Sequence, residues 1–225
     1  MGKKRVLVIC AHDDDEIIAC GGTIRKLSNA GAEITTLIFA TGNEGYTRIG
    51  EKNKIAGVRQ KERKLAQKII GTSGCITYKY HDFDNLDCED VYRAIIKAVR
   101  QVKPHIVFTH YPAEYLAHRT LASTAPEAVM QAGWDCSAVL GKPWKVENIY
   151  QFTVLDVLPD PTCLIDISDT FDSKKKAMMA YRSQVKVLDN IIQAMEGKAL
   201  YYGSFLGVKY AEAFCISSKI KQAIL

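Results

Sequence analysis

The sequence predicts an α/β protein: a Rossmann-like three-layer α/β/α fold around a mostly parallel sheet. Three observations predict it. The apolar run at residues 5–10 is short, rich in β-branched residues and without the alternation of a half-exposed strand, which is the pattern of a buried strand, and further strands read at 33–40 and 105–110. Segments of helical period separate them, and strand and helix in that rhythm give right-handed crossovers. At 225 residues, with 48% hydrophobic and 24% charged residues, the chain holds enough core for one such domain. No repeat, low-complexity tract or linker divides it, so residues 1–225 read as a single domain.

The first strand, Arg5-Val6-Leu7-Val8-Ile9-Cys10, delivers Ala11-His12-Asp13-Asp14-Asp15-Glu16, and apolar residues at 17, 18, 24 and 27 suit a helix that Gly31 closes. Residues 33–40 form the second strand and lead into the turn-rich Thr41-Gly42-Asn43-Glu44-Gly45. Residues 58–71 read as an amphipathic helix ending on glycine, 75–80 as a third strand, 80–86 as a loop and 89–102 as a helix. Pro104 punctuates before the fourth strand, 105–110. A helix over about 118–132 follows, then strands near 147–155 and 163–167. Two helices, about 170–183 and 186–200, precede a closing segment, 210–216, expected to pack near the site.

Composition excludes several functions. A net charge of +5 is mild, and the densest basic run, Lys174-Lys175-Lys176, lies beside Asp169 and Asp172, so it reads as a solvated helix face and not as a nucleic-acid patch. No apolar run is long enough to span a membrane. Met1-Gly2-Lys3-Lys4 leads into a strand without a secretory signal. Seven scattered cysteines with no C-x-x-C pair fit a reducing cytoplasm, and Cys10 and Cys20 read as packed hydrophobes before metal ligands. The first turn carries acids where a dinucleotide fingerprint needs glycines, which removes nicotinamide cofactors. The expected partner is therefore a small molecule, with homo-oligomerisation left open.

One imidazole and four carboxylates in sequence, at the carboxyl end of a first strand, repel one another unless a cation or a shared proton intervenes. An N-cap cluster accounts for one or two acids, not four behind a histidine. A hydrolytic metal site needs about three protein ligands and an open position for water. His12 and Asp15, three residues apart where strand turns into helix, aim at one spot. Of His81, His110 and His118, the last opens a helix after strand four as His12 precedes one after strand one, and is the best third ligand. His110, ending that strand, is placed close behind; His81 is on a loop and unrelated. Two histidines and one aspartate favour Zn²⁺, and Asp14 is the candidate base for its water.

The opening resembles the LmbE-like (PIG-L) family of zinc-dependent N-deacetylases, whose motif usually reads AHPDDE. Further matches run in order: Thr41-Gly42-Asn43-Glu44-Gly45, Arg59-x-x-Glu62, Thr109-His110-x-Pro112, Asp166-Ile167-Ser168, Ser183-Gln184 and Tyr210-Ala211-Glu212-Ala213-Phe214. The resemblance implies His12, Asp15 and His118 as zinc ligands, Asp14 as general base, and Arg59 as a sugar-binding arginine; Glu44 and Asp13 complete the candidate substrate contacts. It implies removal of acetyl groups from N-acetylglucosamine units of small conjugates, with a metal amidase on another acyl or thiol conjugate, or a metal-binding member of reduced catalysis, as alternatives. Two departures stand out. Asp13 replaces the usual proline and adds a charge near the metal, which is tolerated if it faces solvent. The family's H-x-D-H reads Tyr115-Leu116-Ala117-His118 here, so Tyr115, with a contribution from His110, is the candidate oxyanion donor, and Glu114 a substitute acidic partner.

Overall fold

The computed structural model describes residues 3–219. Strands β1 (Arg5–Cys10), β2 (Glu33–Ala40), β3 (Gly74–Tyr80), β4 (Ile106–His110), β5 (Asn148–Phe152), β6 (Cys163–Asp166) and β7 (Ala211–Ile216) form one sheet in the order β3-β2-β1-β4-β5-β7-β6. The first five run parallel; β7 enters antiparallel between β5 and β6. The helices are α1 (Asp15–Asn29), α2 (Ile55–Ile70), α3 (Glu89–Val102), α4 (Leu116–Gln131), α5 (Phe171–Ala180), α6 (Arg182–Val187) and α7 (Ile191–Leu206). None is long and apolar enough to cross a membrane.

The unalternating apolar run of β1 is explained by its two faces. Val6, Val8 and Cys10 pack into one core with Ile17, Ile24, Ala66 and Met178, while Leu7 and Ile9 pack into another with Ile95, Val99, Leu121 and Val129. Helices α1, α2 and α5 therefore cover one side of the sheet and α3 and α4 the other, the expected three layers. Gly31 follows the end of α1 at φ +86°, the left-handed geometry that a helix stop of this kind requires.

Three expectations about the second half change. The segment after β6 contains three helices rather than two. Tyr181, at ψ 64°, breaks the first run while its buried hydroxyl donates to the Asp13 carbonyl, and Asn190, at φ +61°, opens the third. The closing segment is β7, and its Glu212 reaches the middle of α1 rather than the site. There α1 kinks at Cys20, and Glu212 accepts the amides of Gly22 and Thr23 at 3.0 and 2.7 Å. Lys174 is not solvated either: it is buried and pairs with Glu212 at 2.6 Å, a partner 38 residues downstream.

Candidate active site

The loops leaving β1 and β4 diverge to opposite sides of the sheet, and the crevice between them is where open α/β sheets hold ligands. His12 stands in the β1 loop and Asp15 begins α1, its Oδ2 folded back to accept the His12 amide at 2.7 Å. His118, in the first turn of α4, arrives from the β4 side. His12 Nδ1 and His118 Nε2 face each other at 3.2 Å, with Asp15 Oδ1 3.2 Å from the second and 3.8 Å from the first. A tetrahedral ion with bonds of about 2.0–2.1 Å spaces its ligands by roughly 3.3 Å, so these three atoms fit the face of such a polyhedron. Two imidazole nitrogens and a carboxylate, all buried and converging, form a donor set suited to a divalent cation.

Without a cation, burial disfavours the His118 imidazolium, yet Asp15 and Glu114 outweigh it and raise the ring to about 10. Burial likewise opposes the Asp15 carboxylate, while His118 and His110 hold it well below the usual range. Metal binding must therefore expel a proton from this cluster.

Glu114 fixes the orientation of His118. Its Oε2 lies 2.7 Å from His118 Nδ1, and its Oε1 accepts the amides of Val154 and Leu155 at 2.5 and 2.8 Å. Burial pushes this carboxyl up, but the neighbouring His110 and His118 rings, the second of them hydrogen-bonded to it, hold it at about 2. An ionised Glu114 accepts the Nδ1 proton and leaves Nε2 free to ligate. His110, Glu114 and His118 also converge, but 2.7 Å is a hydrogen bond, too short for two ligands of one ion. In Glu114→Gln, one orientation of the amide loses the proton acceptor for His118 and the other loses the acceptor for the two backbone amides. Affinity for a divalent cation is expected to fall by about 10- to 100-fold in a competition titration, with the fold retained.

His110 departs from its expected role. It is fully buried, off the cavity, with Nε2 3.1 Å from both Asp15 Oδ2 and the Ala11 amide. It supports Asp15 from behind, and a direct contact with substrate is out of its reach. Asp13 is also corrected: only 3% exposed, it faces inward and holds Arg59. Arg59 donates from Nε and Nη2 to Asp13 Oδ1 at 2.8 and 2.6 Å, from Nη2 to Asp14 Oδ1 at 2.9 Å and from Nη1 to Gln184 Oε1 at 3.0 Å. Burial opposes its charge, but Asp14 and Asp13 outweigh it and raise its pKa. The arginine expected to bind sugar is thus largely engaged in clamping Asp14. Gly42, at φ +69°, is needed here, because a Cβ would come within 2.4 Å of Arg59 Nε. Gln184 continues to the Gly45 carbonyl, and Glu62 holds Ser183 through its amide and hydroxyl at 3.0 and 2.6 Å, so α2, α6 and the β2 loop lock together.

A cavity of roughly 390 Å³ opens over the triad. His12, Asp14, Asp15, Glu44, Arg59 and Tyr115 line it, as the sequence suggested; His118 lies beneath, Asp13 behind Arg59, and His81 elsewhere. The Tyr115 ring packs on His118 with centroids 4.1 Å apart, half exposed to the cavity. Asp82, Phe83, Leu155 and Val187 also line it and carry no local motif. Glu114, offered by the sequence as a substitute acidic partner, stands against His118 Nδ1. Cys10 and Cys20 are buried, and burial pushes both thiols up, which suits packing.

Residues 7–131 match the family model described as PIG-L, GlcNAc-PI de-N-acetylase, and the chain belongs to this family. A 1D-myo-inositol 2-acetamido-2-deoxy-alpha-D-glucopyranoside deacetylase of Rhodococcus jostii is 27% identical, over 83% of this chain and 84% of that protein. A diacetylchitobiose deacetylase of Thermococcus kodakarensis is 29% identical, over 93% and 81%. The solved structure of N,N'-diacetylchitobiose deacetylase from Pyrococcus horikoshii is similar at a TM-score of 0.88 and 27% identity, over 96% of this chain and 84% of that one.

Proposed function

We propose that this chain is a zinc-dependent hydrolase that removes the N-acetyl group from a small N-acetylglucosamine-type conjugate. The observation that carries the reading is the convergence of His12 Nδ1, Asp15 Oδ1 and His118 Nε2 on one point, with the Asp14 carboxylate beside it in an open cavity. The deacetylase names of the relatives support the same substrate class. Seven free cysteines fit work in a reducing cytoplasm.

When bound, zinc supplies a Lewis acid and lowers the pKa of its water. The protein's residues supply the rest. Arg59 holds Asp14 through Oδ1, while Oδ2 has no protein donor among the described residues and is free to take a proton from water. The water oxygen bonds to the amide carbon as its proton passes to Asp14. Asp14 then returns the proton to the amine nitrogen as the C–N bond breaks, giving acetate and a free amine. Tyr115 donates its hydroxyl to the developing oxyanion. Burial, then Asp15 and Asp14, raise this phenol, so it stays protonated and able to donate. Tyr115→Phe is expected to lower kcat on the order of 100-fold with metal content unchanged.

The test is acetate release from N-acetylglucosamine glycosides. Release is expected with metal-loaded protein, to vanish with a chelator and to return with Zn²⁺; loaded protein that frees acetate from none of them overturns the reading.

A further inference from the structure

The cavity is two-sided, and the sheet order sets its sides. Strands β2 and β3 lie on one side of β1 and deliver Glu44, Asp82 and Phe83 from their loops. Strands β4 and β5 lie on the other and deliver Tyr115, Leu116 and Leu155, and α6 adds Val187. Phe83, Tyr115, Leu116, Leu155 and Val187 remain 37–76% exposed. Single exposed apolar residues need no explanation, but five around one concave site mark a ligand surface.

The chemistry of that surface narrows the ligand. Leu116, Leu155 and Val187 offer no side-chain hydrogen bond, so a hydroxylated ring placed on them would shed water for nothing in return. Across the cavity, Asp82 accepts the amides of Gly42 and Glu44 at 2.8 and 2.9 Å and Glu44 accepts from Asn43, and both carboxylates retain lone pairs for hydroxyl donors. Arg59 is the one cation among the lining residues, and Asp13, Asp14 and Gln184 occupy its guanidinium. With Asp15 set against the zinc and Asp14 against Arg59, Glu44 and Asp82 keep their side of the cavity acidic, which opposes an anionic group there.

We propose that the substrate is a glycoside of an N-acetylated amino sugar with an uncharged apolar aglycone, aryl or alkyl. The sugar hydroxyls face Glu44 and Asp82, and the aglycone covers Leu116, Leu155 and Val187 with Phe83 at the rim. This rests on the deacetylase reading and deepens it.

The experiment compares acetate release by zinc-loaded protein from the methyl and phenyl glycosides of N-acetylglucosamine, its 1-phosphate and its β-1,4 disaccharide. The phenyl glycoside is expected to exceed the methyl glycoside in kcat/KM by about tenfold or more, from the apolar area it buries, with the phosphate lowest. In Leu155→Ser and Phe83→Ala the phenyl-to-methyl ratio falls toward one. Equal values for phenyl and methyl in the unaltered protein, or a preference for the disaccharide, overturn the proposal. So does a preference for the phosphate, which would assign the aglycone to the adjoining groove that carries Lys54, Arg182 and Lys186. If no compound releases acetate, the deacetylase reading fails. Saturation-transfer NMR then decides the aglycone site separately: phenyl protons saturated by the unaltered protein and not by Leu155→Ser retain it, and no saturation removes it.

Discussion

Asp14→Asn is expected to leave zinc bound and to lower kcat by about 10²–10⁴-fold, the range that a positioned general base supplies. The substitution is a clean one for geometric reasons. The asparagine side chain presents its Oδ1 to Arg59 Nη2 as the Asp14 carboxylate does at 2.9 Å, so the clamp persists. Its amide nitrogen then stands where the free carboxylate oxygen was, and it takes no proton. Metal analysis should show the same stoichiometry as the unaltered protein, and the loss should appear in single-turnover acetate release. Activity within tenfold of the unaltered protein would remove Asp14 from the role of base.

The second large effect is on stability. Arg59→Met strips the one guanidinium from between Asp13 and Asp14, leaving two like charges buried and adjacent. Removing one partner of a buried ion pair costs about 3–5 kcal/mol. In a protein of this size that lowers Tm by roughly 6–20 °C, at about 2–4 °C per kcal/mol. The pH dependence has a definite sign. Burial raises Asp13 even with Arg59 present, and loss of the guanidinium raises it further, so this carboxylate binds a proton more readily folded than unfolded. The folded state then holds more protons, so stability falls as pH rises through the carboxylate range and recovers on acidification. Adding Asp13→Asn should return part of the loss, because one of the two facing charges is gone. Thermal and urea melts of the unaltered protein and the two variants at two pH values read all of this.

What the chain disclosed before folding, and what it withheld, divides by range. The bounds of β1, β2 and α3 were legible because their signals are local: an apolar run, a glycine or a proline at the edge, a helical period. The convergence of His12, Asp15 and His118 was legible because the first two share one turn and the third occupies the matching turn of the neighbouring strand. Asp13 was misread because its partner Arg59 is 46 residues away, and no local pattern distinguishes a clamped carboxylate from a solvated one. Lys174 was misread for the same reason, with Glu212 as the distant partner. The break at Tyr181 depends on a hydroxyl reaching back across the sheet edge to Asp13, which helical periodicity does not register. The rim of the cavity was invisible because Phe83, Leu155 and Val187 come from separate connections that only the sheet order assembles.

The most direct measurement is a titration of Zn²⁺ into chelator-treated protein while acetate release from an N-acetylglucosamine glycoside is followed. Release should rise linearly from zero and level at one zinc per chain, with His118→Ala binding no zinc at that concentration and releasing nothing. Acetate released at full rate by metal-free protein, or a plateau that His118→Ala reaches unchanged, would contradict a hydrolase built on His12, Asp15 and His118.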